Sequence, residues 1–133
     1  MKANIVIYLG GDSLDLIQVM KAMGDETRLR ILNILSKSEL CVCEIEKLME
    51  INQSNASRHL NKLTTSGLIK YEKRALYVYY KINKDIFDEF SFLRVFMSTE
   101  LNKIEKCKAD LVKLLEYKSS GMSCDDLREG KRC

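Results

Sequence analysis

At 133 residues, 46% of them hydrophobic and 31% charged, the chain has the length and composition of one globular domain. A chain of this size buries roughly two-thirds of its unfolded surface and needs no staples to fold, which argues against disordered and fibrous classes. The net charge of +3 is too small to name a partner by itself, and the apolar run Ile5–Leu9 is far shorter than the roughly 20 residues of a bilayer span.

That run precedes Gly10-Gly11-Asp12 and carries no small-residue cleavage pattern, so it reads as neither signal peptide nor anchor. It is either a short strand or a helix start. Asp12 or Ser13 can cap a first helix in which Leu14, Ile17 and Met20 recur at helical spacing through about Met23. Gly24 breaks it, and Asp25 caps a second helix with Leu29, Ile31, Leu32, Ile34 and Leu35, ending near Ser36. A short helix over 42–49 follows, then the three-residue turn Glu50-Ile51-Asn52. Asn52 caps the next helix, 53–66, whose Ala56, Leu60 and Leu63 form a buried stripe. Gly67 ends it. The runs 68–73 and 77–82 alternate as strands of a hairpin joined by Arg74-Ala75-Leu76. Residues 84–117 read as a long helix broken once near Ser91, and 118–133 as a mobile tail with no core pattern. Proline is absent, which suits uninterrupted helices.

Helix, tight turn, helix and hairpin is the order of a winged helix-turn-helix, a mainly α fold with a small β-hairpin wing. Residues 1–117 then form a DNA-binding domain, whose last helix has, from Met97 onward, spacings that suit a seam against another helix. Charge agrees with the assignment. Between Gln53 and Ile82 six basic residues meet one acid, a net of +5, which leaves −2 for the remainder. On the helix 53–66, Ser54, Ser57, Arg58, Asn61 and Lys62 lie opposite the buried stripe, and with Gln53 and Asn55 they are the candidate DNA contacts. The short polar side chains suit base edges and the cations suit phosphates of double-stranded DNA, with Lys73 and Arg74 on the hairpin. A merely solvated face is the competing reading. His59, the one histidine, borders the buried stripe and reads as a packed, hydrogen-bonded residue.

The five cysteines, Cys41, Cys43, Cys107, Cys124 and Cys133, are odd in number and include no CxxC pair, so they read as thiols of a reducing compartment. Glu39-Leu40-Cys41-Val42-Cys43-Glu44 places two soft donors at the start of the helix 42–49. In a helix, positions i and i+2 point to nearly opposite sides, and in an extended segment to the same side. Gripping one ion with both sulfurs therefore requires this helix start to be unwound, which would couple metal binding to the placement of the next helix. Cys107 falls on an apolar stripe and reads as packing, while Cys124 and Cys133 read as accessible and uncommitted.

Together the motifs Met23-Gly24-Asp25-Glu26-Thr27-Arg28-Leu29, Glu39-Leu40-Cys41-Val42-Cys43-Glu44, Ser57-Arg58-His59-Leu60 and Gly67-Leu68-Ile69 resemble the ArsR/SmtB family of metalloregulatory repressors over about residues 14–115. The resemblance implies a cytoplasmic symmetric homodimer paired through its first and last helices, with no membrane contact, no enzymatic activity and no organic cofactor. It implies operator binding that is relieved by an inducer. As(III) or Sb(III) is the expected inducer, held by Cys41 and Cys43. The position that carries a third cysteine in many arsenic repressors is Glu46, so the third ligand is Cys107, Cys124 or Cys133, from the same or the partner chain. A cadmium/lead sensor and a thiol-redox or persulfide sensor using Cys41 or Cys43 with Cys107 are the alternatives. The wing tip, usually Gly-Arg in the family, is Ala75-Leu76 here.

Overall fold

The computed structural model describes residues 12–130, so the expectations for residues 1–11 and for Cys133 lie outside the described residues. Helix α1 (Asp12–Met23) is followed by α2 (Glu26–Leu35), the two-residue strand β1 (Leu40–Cys41), α3 (Val42–Met49) and α4 (Gln53–Thr65). The hairpin β2 (Ile69–Arg74) and β3 (Tyr77–Ile82) comes next. Then come α5 (Lys84–Glu89), α6 (Phe92–Val95), a π-helical turn (Phe96–Glu100), a 3-10 turn (Leu101–Lys103), α7 (Glu105–Ser120) and α8 (Cys124–Gly130). This is the expected winged helix-turn-helix. The sheet is three-stranded, in the order β1-β3-β2 and antiparallel throughout.

Local chemistry sets the boundaries. The Asp25 carboxylate accepts the Arg28 N–H at 3.0 Å and starts α2. Asn52 does the same for α4, accepting the Asn55 N–H at 2.8 Å. At the end of α4 the chain turns through Gly67, whose φ of +89° is left-handed, and the Leu68 N–H donates to the Leu63 carbonyl at 3.2 Å. A Cβ there would also press Ile86 at 3.3 Å. The wing turn is tighter than expected: Arg74 still belongs to β2, and only Ala75 and Leu76 connect the strands, with Ala75 at φ +55°.

The core lies between α2, α3, α4 and the inner side of the wing. Ile31, Leu32, Ile34, Ile45, Ala56, Leu60 and Leu63 are all 0–1% exposed. Each large side chain of this set contributes about 1.5–3 kcal/mol of burial. On α1 the buried face is Val19, Ala22 and Met23, while Ile17 and Met20 stand half exposed.

Two expectations for the C-terminal third need correction. Its helix breaks twice, near Ser91 and again at Ile104, whose extended backbone separates the 3-10 turn from α7. At the π-helical turn, the Thr99 hydroxyl donates to the Val95 carbonyl at 2.7 Å, one of the side-chain insertions that disturb α-helical pairing. The expected mobile tail from residue 118 is instead the last turn of α7, a left-handed Gly121 and the helix α8. Cys124 and Leu127 of α8 are 4% and 6% exposed and pack on the body of the domain.

Candidate nucleic-acid interface and cysteine cluster

Helix α4 separates into two faces. Ala56, His59, Leu60 and Leu63 are buried, Gln53, Ser54, Ser57, Arg58, Asn61 and Lys62 are exposed, and Asn55 is half-buried. The seven candidate contact residues on this helix therefore share one outward side. Arg58 Nη2 donates to Asn55 Oδ1 at 2.8 Å, which orients the guanidinium along the helix surface.

His59 packs inward, as its spacing suggested. Arg28 Nη1 donates to His59 Nδ1 at 3.2 Å, and Arg28 Nε donates to the Ala22 carbonyl at 2.6 Å. A histidine that accepts at Nδ1 is neutral. Burial, reinforced by the charges of Arg58, Arg28 and Lys62 and opposed by Asp25, holds its pKa below the ordinary value. The same arginine thus ties α1, α2 and α4 together.

Sequence reasoning missed two residues on this side. Gln18 and Lys21 of α1 line, with Arg28, Arg58, Lys62 and Ser66, a concavity of about 410 Å³ beside the outward face of α4. Their polarity along α1 was visible, but only the crossing of α1 and α4 brings them to this face. On the wing, Lys73 is exposed as expected. Arg74 is committed elsewhere: its Nη2 pairs with Glu39 Oε1 at 2.7 Å, and its guanidinium lies 4.1 Å above the centre of the Tyr79 ring. The Glu39 hydrogen bond raises its pKa. A phosphate contact from Arg74 would have to compete with that carboxylate.

The cysteine motif sits at a strand–helix junction. Cys41 ends β1, where it pairs with Tyr79 of β3, and its extended backbone (φ −88°, ψ 169°) makes it the N-cap of α3. Cys43 lies inside the first turn of α3. The first sulfur of the motif therefore belongs to extended chain and the second to the helix.

Cys124 of α8 reaches this junction. Its sulfur is bonded to that of Cys41, with the two Cα atoms 7.0 Å apart across 83 residues of sequence. This overturns the reading of all cysteines as thiols and of Cys124 as accessible and uncommitted. It also overturns the redox pairing expected with Cys107. Cys107 is the free cysteine among the described residues, and it is 1% exposed on α7. Its backbone carbonyl accepts from Asn33 Nδ2 at 3.0 Å, and burial, with the nearby Asp110 charge, raises its thiol pKa. It packs α7 against α2 and lies outside the Cys41–Cys124 group.

A buried carboxylate completes that group. Glu44 Oε1 accepts the Cys41 N–H at 2.9 Å, and Glu44 Oε2 accepts the Tyr117 hydroxyl at 2.5 Å. One ligand atom from each of Cys41, Glu44 and Cys124 lies within 4.8 Å of the others, and all three residues are buried. Burial, then the carboxylate hydrogen bond, pushes the Tyr117 hydroxyl pKa far up, so it remains a donor. Chemically the disulfide is the oxidised form and can take up two electrons. Reduced, it presents soft sulfur donors beside one hard oxygen donor, with Cys43 two residues further along. Tyr117 and Cys124 left no local sequence signal for this role.

Known proteins resemble this chain in sequence and in fold. Residues 25–71 match the profile described as "Bacterial regulatory protein, arsR family". A cadmium resistance transcriptional regulatory protein CadC homolog of Staphylococcus aureus is 38% identical over 73 residues, covering 54% of this chain and 60% of that protein. The arsenical resistance operon repressor of Escherichia coli is 41% identical over 71 residues, covering 53% of this chain and 61% of the repressor. The chain thus spans about six-tenths of the length of these relatives. The homodimeric winged helix-turn-helix DNA-binding domain Mb0332 of Mycobacterium bovis superposes with a TM-score of 0.60 at 26% identity, over 73% of this chain and 91% of that domain. No helix among the described residues is long and apolar enough to cross a membrane.

Proposed function

This chain belongs to the arsR family of bacterial regulatory proteins, and from that premise we propose that it is a homodimeric repressor that releases operator DNA when arsenite or antimonite is captured by Cys41 and Cys43. The observation that carries the proposal is the position of Cys41. Its backbone pairs with the wing strand β3 and caps α3, the helix that packs against the outward-facing α4. A ligand that pulls on Cys41 therefore acts on both DNA-facing elements at once, which is the differential contact that coupling between two sites requires.

The nucleic-acid side rests on α4. Gln53, Ser54, Asn55, Ser57 and Asn61 read base edges, Arg58 and Lys62 hold phosphates, and Lys73 reaches the backbone from the wing. The dimer rests on the half-exposed Ile17 and Met20 of α1 and the exposed Val112 and Leu115 of α7, which leave an apolar face for a second copy. The relatives are regulators rather than enzymes, and no catalytic role is assigned.

The Cys41–Cys124 bond favours a second reading, in which an oxidant is the signal and disulfide formation is the release step. Glu44, a hard donor beside soft ones, gives a cadmium or lead response its own support. One experiment separates all three. Fluorescence anisotropy on the DNA upstream of the chain's own gene follows release by arsenite, antimonite, cadmium and lead in turn under reducing conditions, and by an oxidant after the reductant is removed. Arsenite or antimonite is expected to act at the lowest concentration. The double variant Cys41→Ser, Cys43→Ser is expected to bind DNA as before and to ignore the inducer. Release of that variant by arsenite refutes the assignment.

A further inference from the structure

We propose that Cys124, carried by the C-terminal helix α8 of the same chain, is the third thiolate of the metalloid site. This rests on the reading of Cys41 and Cys43 as sensor thiols. The argument is one of placement. The Cys124 and Cys41 sulfurs are in direct contact, although 83 residues separate them. Cys124 is held there by more than its sulfur, because the buried Leu127 one turn along α8 belongs to the same core cluster. Cys107, the other candidate among the described residues, is occupied in the α2–α7 interface.

Cys43 is disulfide-bonded as well, so a dithiol must reduce both its bond and the Cys41–Cys124 bond. Each reduction takes up two electrons and two protons and turns one dithiol into its disulfide, which leaves Cys41, Cys43 and Cys124 as thiols. Arsenous acid then exchanges its three hydroxyl groups for the sulfurs of the three thiols, so that three As–S bonds form and the thiol protons leave with the hydroxyls as three waters. The consequence is mechanical. With Cys41 at the junction of β1 and α3 and Cys124 at the start of α8, the ligand clamps the C-terminal helix to the base of the helix-turn-helix. The Tyr117–Glu44 hydrogen bond already joins α7 to the same point. The C-terminal segment is thereby part of the sensor.

The test uses the reduced full-length protein and two probes. Arsenite offers three exchangeable positions and phenylarsine oxide offers two. For the natural chain, arsenic X-ray absorption is expected to show three sulfur neighbours with arsenite, and arsenite is expected to protect Cys124 from alkylation by iodoacetamide in a peptide map. Cys124→Ser is expected to bind arsenite about 100-fold more weakly or worse, since the tethered third donor is lost. It should show two sulfur neighbours and one oxygen, and bind phenylarsine oxide as the natural chain does. Cys107→Ser is expected to change neither probe. Three sulfur neighbours in Cys124→Ser, or an alkylated Cys124 in the arsenite-loaded natural chain, overturns the proposal and leaves the Cys41–Cys43 reading standing. Failure of the natural chain to bind either probe overturns both. The alkylation map needs no variant, so a misfolded Cys124→Ser does not spare the proposal.

Discussion

Arg30 and Asp110 join the second helix to α7, and their pairing makes the most quantitative prediction. Arg30 Nε donates to Asp110 Oδ2 at 2.7 Å and Nη2 donates to Oδ1 at 2.9 Å, a bidentate fork. The carboxylate side chain is 2% exposed and the arginine side chain 16%. Removing one partner of such a buried pair leaves an uncompensated charge and costs about 3–5 kcal/mol. Asp110→Ala is expected at the lower end, about 3 kcal/mol, because Arg30 keeps a fraction of its surface in water and can turn toward it. That is a large share of a domain's typical stability of about 5–15 kcal/mol. Arg30→Met is expected to cost more at neutral pH, because Asp110 has no such escape. An isolated buried carboxyl has a raised pKa in the folded state, so the stability of Arg30→Met is expected to be higher in acid and to fall as pH rises. Replacing both residues, Arg30→Met with Asp110→Leu, is expected to recover most of the loss. The assay is urea unfolding followed by far-UV circular dichroism, at fixed protein concentration because self-association adds to the apparent stability of any chain that undergoes it. Single variants that each cost under about 0.5 kcal/mol, with no coupling in the cycle, would show that the fork behaves as an exposed ion pair and refute the reasoning.

Two further outcomes follow from particular residues. Ala75 holds a φ of +55° at the wing turn, a conformation that costs an L-residue about 1–2 kcal/mol, so Ala75→Gly is expected to stabilise the domain by about 0.5–1 kcal/mol after the entropy of glycine is counted. A lower urea midpoint for that variant counts against the strained turn. His59 is held neutral by burial and by neighbouring cations, so the folded chain takes up its proton less readily than the unfolded chain. Stability is therefore expected to be fully present above the ordinary histidine pKa of about 6.5 and to fall as pH drops below it. His59→Gln is expected to flatten that part of the profile, and an unchanged slope in a pH series of thermal melts rejects the account.

The helix-turn-helix and the hairpin were legible in the residues because their signals are local. Asp25 and Asn52 cap helices by reaching three residues ahead, Gly67 supplies a left-handed turn, and Val78, Tyr80 and Ile82 alternate with Tyr77, Tyr79 and Lys81 along one strand. The outward face of α4 followed from the spacing of Ala56, Leu60 and Leu63 alone. The Cys41-Val42-Cys43 motif marked the place of a cysteine cluster for the same reason, although as thiols rather than the bonded sulfurs that the fold brings together. What surrounds that pair was not legible, because it is assembled by contacts between residues tens of positions apart. β1 is two residues long and exists only because β3 pairs with it. Arg74 reads as a free wing cation until the fold sets Glu39 beside it. Tyr117 and Cys124 carry no local pattern that points at residue 41. They arrive there because α7 packs against α2, positions Tyr117 over Glu44 and turns through Gly121 into α8. Periodicity and capping act within a few residues of chain, so they determine which elements form. The burial of α7 and α8 against the rest of the domain decides which side chains the cysteine motif meets.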